Sequence, residues 1–243
     1  MRFSALIVAC STLVLSSGCV HYQLSSHEQT QVTLRVQGAP RQLARSLWVT
    51  PFFRDDSKRL LTGDRPEDVE LLVTPAGAPI SPGDIQEVLP AGTHVKVQTV
   101  SFPSTWENVS RPILTPRDRP WVELIVDGRP ATTLYVLVLR PDLKNEDDAI
   151  AEIGKWLTVD KLDEEIARLP VADQTAIRTR ELVIGLSVRA LELALSPPSL
   201  KRIYGDGAVR AEDWTWHTPQ GDRIASVRDG LVAKVELPKK PAQ

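Results

Sequence analysis

The amino-acid sequence predicts an α+β protein with an N-terminal β-rich domain, a helical connector and a small C-terminal module in which a helix lies on an antiparallel sheet. Three observations carry that expectation. Short runs in which apolar and polar residues alternate, bounded by Pro and Gly, fill the chain up to Leu139. From Pro141 the apolar spacing changes to three and four, and alternation returns after Ser196-Pro197-Pro198. The 243 residues are 42% hydrophobic and 25% charged, which suits a globular chain and excludes a disordered, collagen-like or multi-span membrane protein. Because 29 Lys and Arg stand against 31 Asp and Glu, a formal charge of −2, there is no basic excess and no nucleic-acid partner is expected.

Residues 1–18 read as a signal peptide, with a charge at Arg2, an apolar run from Phe3 to Leu15 and small residues before Cys19. The run is too short and Ser-rich for a spanning helix, which needs about 20 apolar residues. Ser16-Ser17-Gly18-Cys19 resembles the bacterial lipoprotein box, although Ser16 stands where an apolar residue is usual and Leu15 lies one place further out. The resemblance implies that Cys19 is the lipidated first residue of the mature chain. Val20, in place of a retaining Asp, implies the outer membrane; the domain is expected to face the periplasm, with surface exposure as the alternative. The competing reading is ordinary secretion with cleavage elsewhere. Cys10 leaves with the leader, so Cys19 is the only remaining thiol and no intramolecular disulfide forms.

Residues 19–30 are expected to be a polar tether, and 31–140 the β-rich domain. Val32, Leu34 and Val36 alternate with Thr33, Arg35 and Gln37 and predict a first strand. Further strands are expected at Leu47–Phe53, Val69–Thr74, Thr93–Val100, Trp121–Val126 and Thr132–Leu139. Leu134 to Leu139 is apolar on both faces and is expected to be central and covered. Asp127-Gly128 predicts a hairpin, lengthened by Arg129-Pro130. The run from Val88 to Val97 resembles the turn-and-strand element of small SH3-like barrels.

The connector, 141–181, contains two amphipathic patterns: Ala149, Ile150, Ile153, Trp156, Leu157, and then Val159, Leu162, Ile166, Leu169. Glu146, Asp147 and Asp148 fall in a first helical turn, either compensating the dipole or binding a cation. The module, 182–238, opens with Ser187 as N-cap of a helix carrying Val188, Leu191 and Leu195 on one face, stopped by Ser196-Pro197-Pro198. Strands are expected at Leu200–Tyr204, Glu212–His217, Arg223–Arg228 and Leu231–Glu236, with turns at Pro219-Gln220-Gly221 and Asp229-Gly230.

Ile184-Gly185-Leu186-Ser187, Leu191, Leu195, Pro198, Glu212-Asp213-Trp214-Thr215-Trp216 and Asp229-Gly230-Leu231-Val232 together resemble the SmpA/BamE-like outer-membrane lipoproteins. The resemblance covers less than a quarter of the chain, and Ser196-Pro197-Pro198 replaces a glycine in the helix-closing element. It implies two helices on a three-stranded sheet and a role in outer-membrane assembly. Trp214 and Trp216 share a strand face and are expected to form the module core with Leu191 and Leu195.

No nucleophile elbow, zinc helix or phosphate-binding loop is present, so no catalytic residue, metal or cofactor is expected. His21 and His27 fall in the tether; His94 faces solvent or takes a hydrogen bond; His217 lies near Asp213 and Asp222 without a nucleophile. Arg111, Arg117 and Arg119 beside Trp121 are a candidate binding cluster for an anionic glycan or lipid headgroup, or else a Pro-stiffened loop with surface ion pairs. The expected function is therefore a lipid-anchored, non-catalytic interaction or scaffolding role with envelope proteins as partners. The alternative is glycan or lipid binding by the β-rich domain, and a hydrolase with an unrecognised site is more remote.

Overall fold

The computed structural model describes residues 24–205 and 211–238, so Cys19, His21 and the proposed leader lie outside the described residues. In chain order the elements are α1 (Ser26–Val36), β1 (Pro40–Leu43), β2 (Leu47–Phe52), β3 (Asp55–Thr62), β4 (Glu87–Leu89), β5 (His94–Ser101), α2 (Thr105–Ser110), β6 (Trp121–Val126) and β7 (Leu134–Val138). There follow α3 (Glu146–Gly154), β8 (Leu157–Thr158), α4 (Leu162–Ile166), α5 (Val171–Thr179), α6 (Val188–Ala194), β9 (Leu200–Tyr204), β10 (Ala211–Trp216), β11 (Arg223–Arg228) and β12 (Leu231–Glu236). The protein is thus α+β, with one large mixed sheet and a separate antiparallel one.

The eight-stranded sheet has the order β4-β2-β3-β7-β6-β5-β1-β8. Every neighbouring pair is antiparallel except β3 with β7, which run parallel from Lys58 opposite Leu134 to Leu61 opposite Leu137. β4 and β8 do not pair with each other, so the sheet is open rather than a closed SH3-like barrel. β7 is central, as its two-sided apolar pattern requires. Tyr135 and Leu137 join a core with Leu47, Val122, Leu124 and the helices α1 and α3. Val136 points the other way, into a smaller cluster with Phe52, Leu60, Val69 and Trp121.

The first predicted strand is instead α1. Positions i and i+4 share a face in both periodicities, so three alternating residues do not distinguish a strand from a helix. The N-terminal side decides it: Ser25 and Glu28 form a reciprocal capping box, which starts the helix inside the stretch read as tether. Val32 and Val36 are buried while Leu34 is 67% exposed, as a helix demands. α1 runs antiparallel to β5, with Gly38 N–H donating to the Val97 carbonyl at 2.9 Å and the Thr33 hydroxyl to the Val100 carbonyl at 3.4 Å. The start of α1 therefore lies towards the far end of β5, where Leu24 joins the same buried cluster as Val100 and Phe102.

Val69–Thr74 is not a strand either. Its only ladder contact is an isolated bridge from Val73 to Pro79, and Val69 and Leu71 instead cover the outer face of the sheet beside Phe52 and Trp121. Residues 141–181 are shared between two cores. α3 and β8 belong to the large-sheet core, whereas Leu162, Ala176 and Ile177 of α4 and α5 are buried with Leu191, Trp214, Trp216 and Val232. α5 and α6 pack on each other against the sheet β12-β11-β10-β9. That sheet has four strands, against the three that the SmpA/BamE-like resemblance implies.

Polar contacts stitch the two cores together. Ser46, fully buried, donates its backbone N–H to the Leu193 carbonyl at 2.7 Å and its hydroxyl to the Ile177 carbonyl at 2.6 Å. Arg45 donates to the carbonyl of Glu192 at 2.8 Å. Arg180 ends α5 in a left-handed conformation, φ +58°, and donates to the Gly63 carbonyl at 2.6 Å. Burial pulls its pKa down while the nearby Asp64 charge opposes the shift. A Cβ on Gly63 would lie 2.9 Å from the Ser196 Cβ and 3.0 Å from the Trp156 ring, so close approach of the two layers requires glycine there.

Candidate functional site

The Arg/Trp loop is part of the fold rather than an open pocket. Trp121 is 3% exposed, donates Nε1–H to the Pro116 carbonyl at 2.9 Å, and meets Phe52 edge-on with centroids 4.9 Å apart. Arg111 stacks on the Trp121 ring at 3.8 Å. It also donates to the carbonyls of Arg117 and Arg119, both at 2.9 Å, and to the Ser101 hydroxyl at 2.5 Å. Arg117 reaches back to the Asn108 carbonyl at 2.8 Å, and Arg119 is half-buried. Guanidinium groups thus satisfy the carbonyls of an irregular segment that has no ladder of its own. A ligand stacking on Trp121 would have to displace Arg111.

That bracing holds up an element the sequence reading passed over. α2 is capped by Ser104, whose hydroxyl accepts from Glu107 N–H at 3.1 Å. A Ser followed three residues later by Glu is its readable signal. α2 and the loop after it expose Trp106 to 78%, Val109 to 74% and Ile113 to 77%.

In the C-terminal unit Trp214 and Trp216 share the helix-facing side of β10 as expected, with ring centroids 6.3 Å apart. Leu191 is fully buried and Leu195 half-buried against the same core. Trp214 donates to Glu212 at 2.7 Å, and Lys201 sits both 2.9 Å from that carboxylate and 4.3 Å from the Trp214 ring. Trp216 donates to the Ser196 carbonyl at 2.8 Å. The two edges of this sheet differ. The β12 edge is closed by the chain before α6: Gly185 N–H donates to the Val232 carbonyl and Val232 N–H to the Leu186 carbonyl, both at 2.8 Å. β9 has no neighbour beyond β10 among the described residues, and all five of its residues are exposed, Ile203 to 54% and Tyr204 to 43%.

His217 and Asp222 pair at 2.8 Å on the surface; Asp213 instead faces Arg228 at 3.9 Å. The acidic turn of α3 is internally paired: Asn145 caps it, Glu146 meets Arg35 at 2.7 Å, Asp147 lies 3.7 Å from Arg35, and Asp148 bonds Arg140. Among the described residues no group of three or more His, Cys, Asp or Glu is arranged to hold a metal ion, and no helix is long and apolar enough to cross a membrane.

A groove of about 310 Å³ lies between the Pro90–Thr93 turn and α4–α5, lined by Gly92, Asp163, Ile166, Gln174 and Arg178. At its end the Gln42 side chain caps α4. Its Oε1 accepts from Leu162 N–H at 2.7 Å, and its Nε2 donates to Asp163 at 2.8 Å, with His94 3.4 Å from the other carboxylate oxygen. The Gln42 hydrogen bond, with help from His94, holds the Asp163 pKa below the usual carboxylate value. Because the folded pKa is the lower one, this contribution is present above the ordinary pKa near ~3.9 and is lost as pH falls through the lowered value. Gln42→Leu is expected to cost about 0.5–2 kcal/mol at neutral pH through the lost cap. Urea unfolding of both proteins across acidic pH should show the gap narrowing as Asp163 protonates; a gap that widens would refute this account.

Comparison with protein-family models, with characterised proteins and with solved structures gives no match.

Proposed function

We propose that the chain is a lipid-anchored cell-envelope protein with a non-catalytic interaction role, held at the periplasmic face of the outer membrane through Cys19 and engaging envelope proteins through its C-terminal sheet. The observation that carries this reading is the asymmetry of that sheet among the described residues: one edge is closed by residues 185–188, whereas β9 presents an exposed edge with no strand beyond it. An open edge is a template for strand addition, in which backbone hydrogen bonds supply affinity and alternate side chains supply selectivity. Leu200, Ile203 and Tyr204 give that edge apolar contact area, and Arg202 gives it positive charge. The fitting partner segment is extended, apolar at alternate positions and acidic. The Ser16-Ser17-Gly18-Cys19 box supports the anchor, and α5 and α6 packed on β10–β12 support the resemblance to SmpA/BamE-like lipoproteins. Glycan or lipid binding at Arg111 and Trp121 has no comparable support, since each already serves the other.

A photo-crosslinking residue at Ile203 is expected to capture, in cells, a single stretch of an envelope protein, with the adduct lost on Leu200→Asp. A crosslinker at Val159, which is more exposed still at 70% and lies between β8 and α4, should not capture that stretch. Adducts at Val159 and none at Ile203 would refute the role of the edge. Palmitate labelling tests the anchor separately: Cys19→Ser should abolish the label and release the protein from the membrane fraction.

A further inference from the structure

We propose that the α2 lobe is a membrane-seating surface, with Trp106, Val109 and Ile113 entering the interfacial zone of the bilayer to which the protein is tethered. The inference rests on the reading of Cys19 as the lipid anchor and adds to it how the body of the protein sits.

Trp106, Val109 and Ile113 lie within eight residues and are each at least 74% exposed, with Leu114 beside them at 41%. Trp106 and Val109 are three apart on one helical turn and therefore share a face. Trp121, Trp214 and Trp216 are buried and Trp48 and Trp156 half-buried, so Trp106 stands apart among the described tryptophans. Arg111 and Arg117 brace the backbone that presents these side chains, through the carbonyls of Ser101, Asn108, Arg117 and Arg119. A rigid segment that presents Trp and aliphatic side chains matches the bilayer interface, where the indole ring lies at headgroup level and the aliphatic groups reach the acyl boundary.

Position identifies the bilayer as the occupant. α1 runs antiparallel to β5, so its start approaches the end of β5, and α2 begins five residues beyond Val100, at Thr105 after its cap Ser104. Leu24, just before α1, is buried in the same cluster as Val100 and Phe102. Leu24 is only five residues along the chain from Cys19, and five extended steps span at most about 18 Å. Lipid at Cys19 therefore holds the membrane surface within reach of this end of the large sheet. The charges of the lobe nearly balance, Glu107 and Asp118 against Arg111, Arg117 and Arg119, so seating needs no anionic lipid and should depend weakly on salt.

The test uses the full chain purified from membranes of producing cells, with its mass measured for attached lipid, in phosphatidylcholine vesicles containing brominated acyl chains. Tryptophan fluorescence is expected to be quenched by the brominated lipid. Most of that quenching should disappear in Trp106→Phe, and it should fall several-fold in Val109→Ser/Ile113→Ser, both at exposed positions that leave the fold intact by near-UV circular dichroism. A lipid-bearing protein without quenching overturns the seating surface while the anchor stands. Quenching in protein without lipid upholds the surface and refutes the anchor. Absence of both, or quenching that survives Trp106→Phe, refutes the inference. Concentration-dependent shielding of Trp106 from acrylamide without vesicles overturns it in favour of self-association.

Discussion

Trp214→Ala is expected to destabilise the protein by about 3–5 kcal/mol, the usual range for removing a large buried ring. Trp214 is 2% exposed, at the centre of the core that joins α4, α5 and α6 to the four-stranded sheet. Its loss leaves a cavity under α6, removes a donor from Glu212 and takes away the surface on which Lys201 lies. Total stabilities of domains this size are about 5–15 kcal/mol, so the C-terminal unit should melt early, with loss of near-UV tryptophan signal. Urea unfolding is the measurement. A cost below about 1 kcal/mol, the level of an ordinary substitution, would show that this ring is not central to the core. The same variant bears on function, because among the described residues β10 is the one strand that pairs with β9. Crosslinking at Ile203 should vanish along with the fold of β10.

Phe52→Ala is expected to cost a similar ~3–5 kcal/mol, from the opposite layer of the molecule. Phe52 is fully buried on the outer face of the large sheet, edge-on to Trp121 and packed with Leu60, Val69 and Val136. Trp121 in turn carries Arg111, and Arg111 braces the α2 lobe. The lesion should therefore travel: beyond lowering the urea midpoint, it should loosen the lobe and broaden the emission of Trp106. A destabilised variant whose Trp106 environment is unchanged would show that the guanidinium network holds the lobe without the ring stack. In the folded fraction the β9 edge should be unaffected, since it belongs to the other core.

Much of the C-terminal half was legible because its residues obey one period at a time. Leu200–Tyr204, Arg223–Arg228 and Leu231–Glu236 appear with the bounds their alternation predicts, and Ser187 caps α6 as its side chain suggests. The N-terminal half was read less well for identifiable reasons. In β3 the first residues, Asp55-Asp56-Ser57, are polar and partly exposed although the strand is internal, so no alternation marks it. β1 and β4 have four and three residues, too short for a period to appear. α1 misleads because its apolar pattern suits two periods, and the Ser25–Glu28 capping box is what separates them. In the candidate binding loop the pattern shows which residues cluster, but not that Arg111 stacks on Trp121. Exposure of Trp106 depends on which way α2 turns, which no local pattern specifies.

The placement of β1 has a consequence for the order in which the molecule is completed. β1 lies between β5 and β8, pairing Arg41 with Val95 on one side and Leu43 with Leu157 on the other. A chain emerging from its N terminus presents β1 about fifty residues before its first partner and more than a hundred before its second. Until then the strand is a bare template. Distant pairings of this kind slow folding and leave intermediates prone to association. α1, with its own capping box and an amphipathic face, precedes β1 immediately and can form from local contacts alone. Among the described residues the first element of a growing chain is thus a helix rather than a strand, and the short β1 gives little length for wrong pairing while it waits. Release of the whole stretch to Thr158 before the large sheet closes would suit this topology better than stepwise folding.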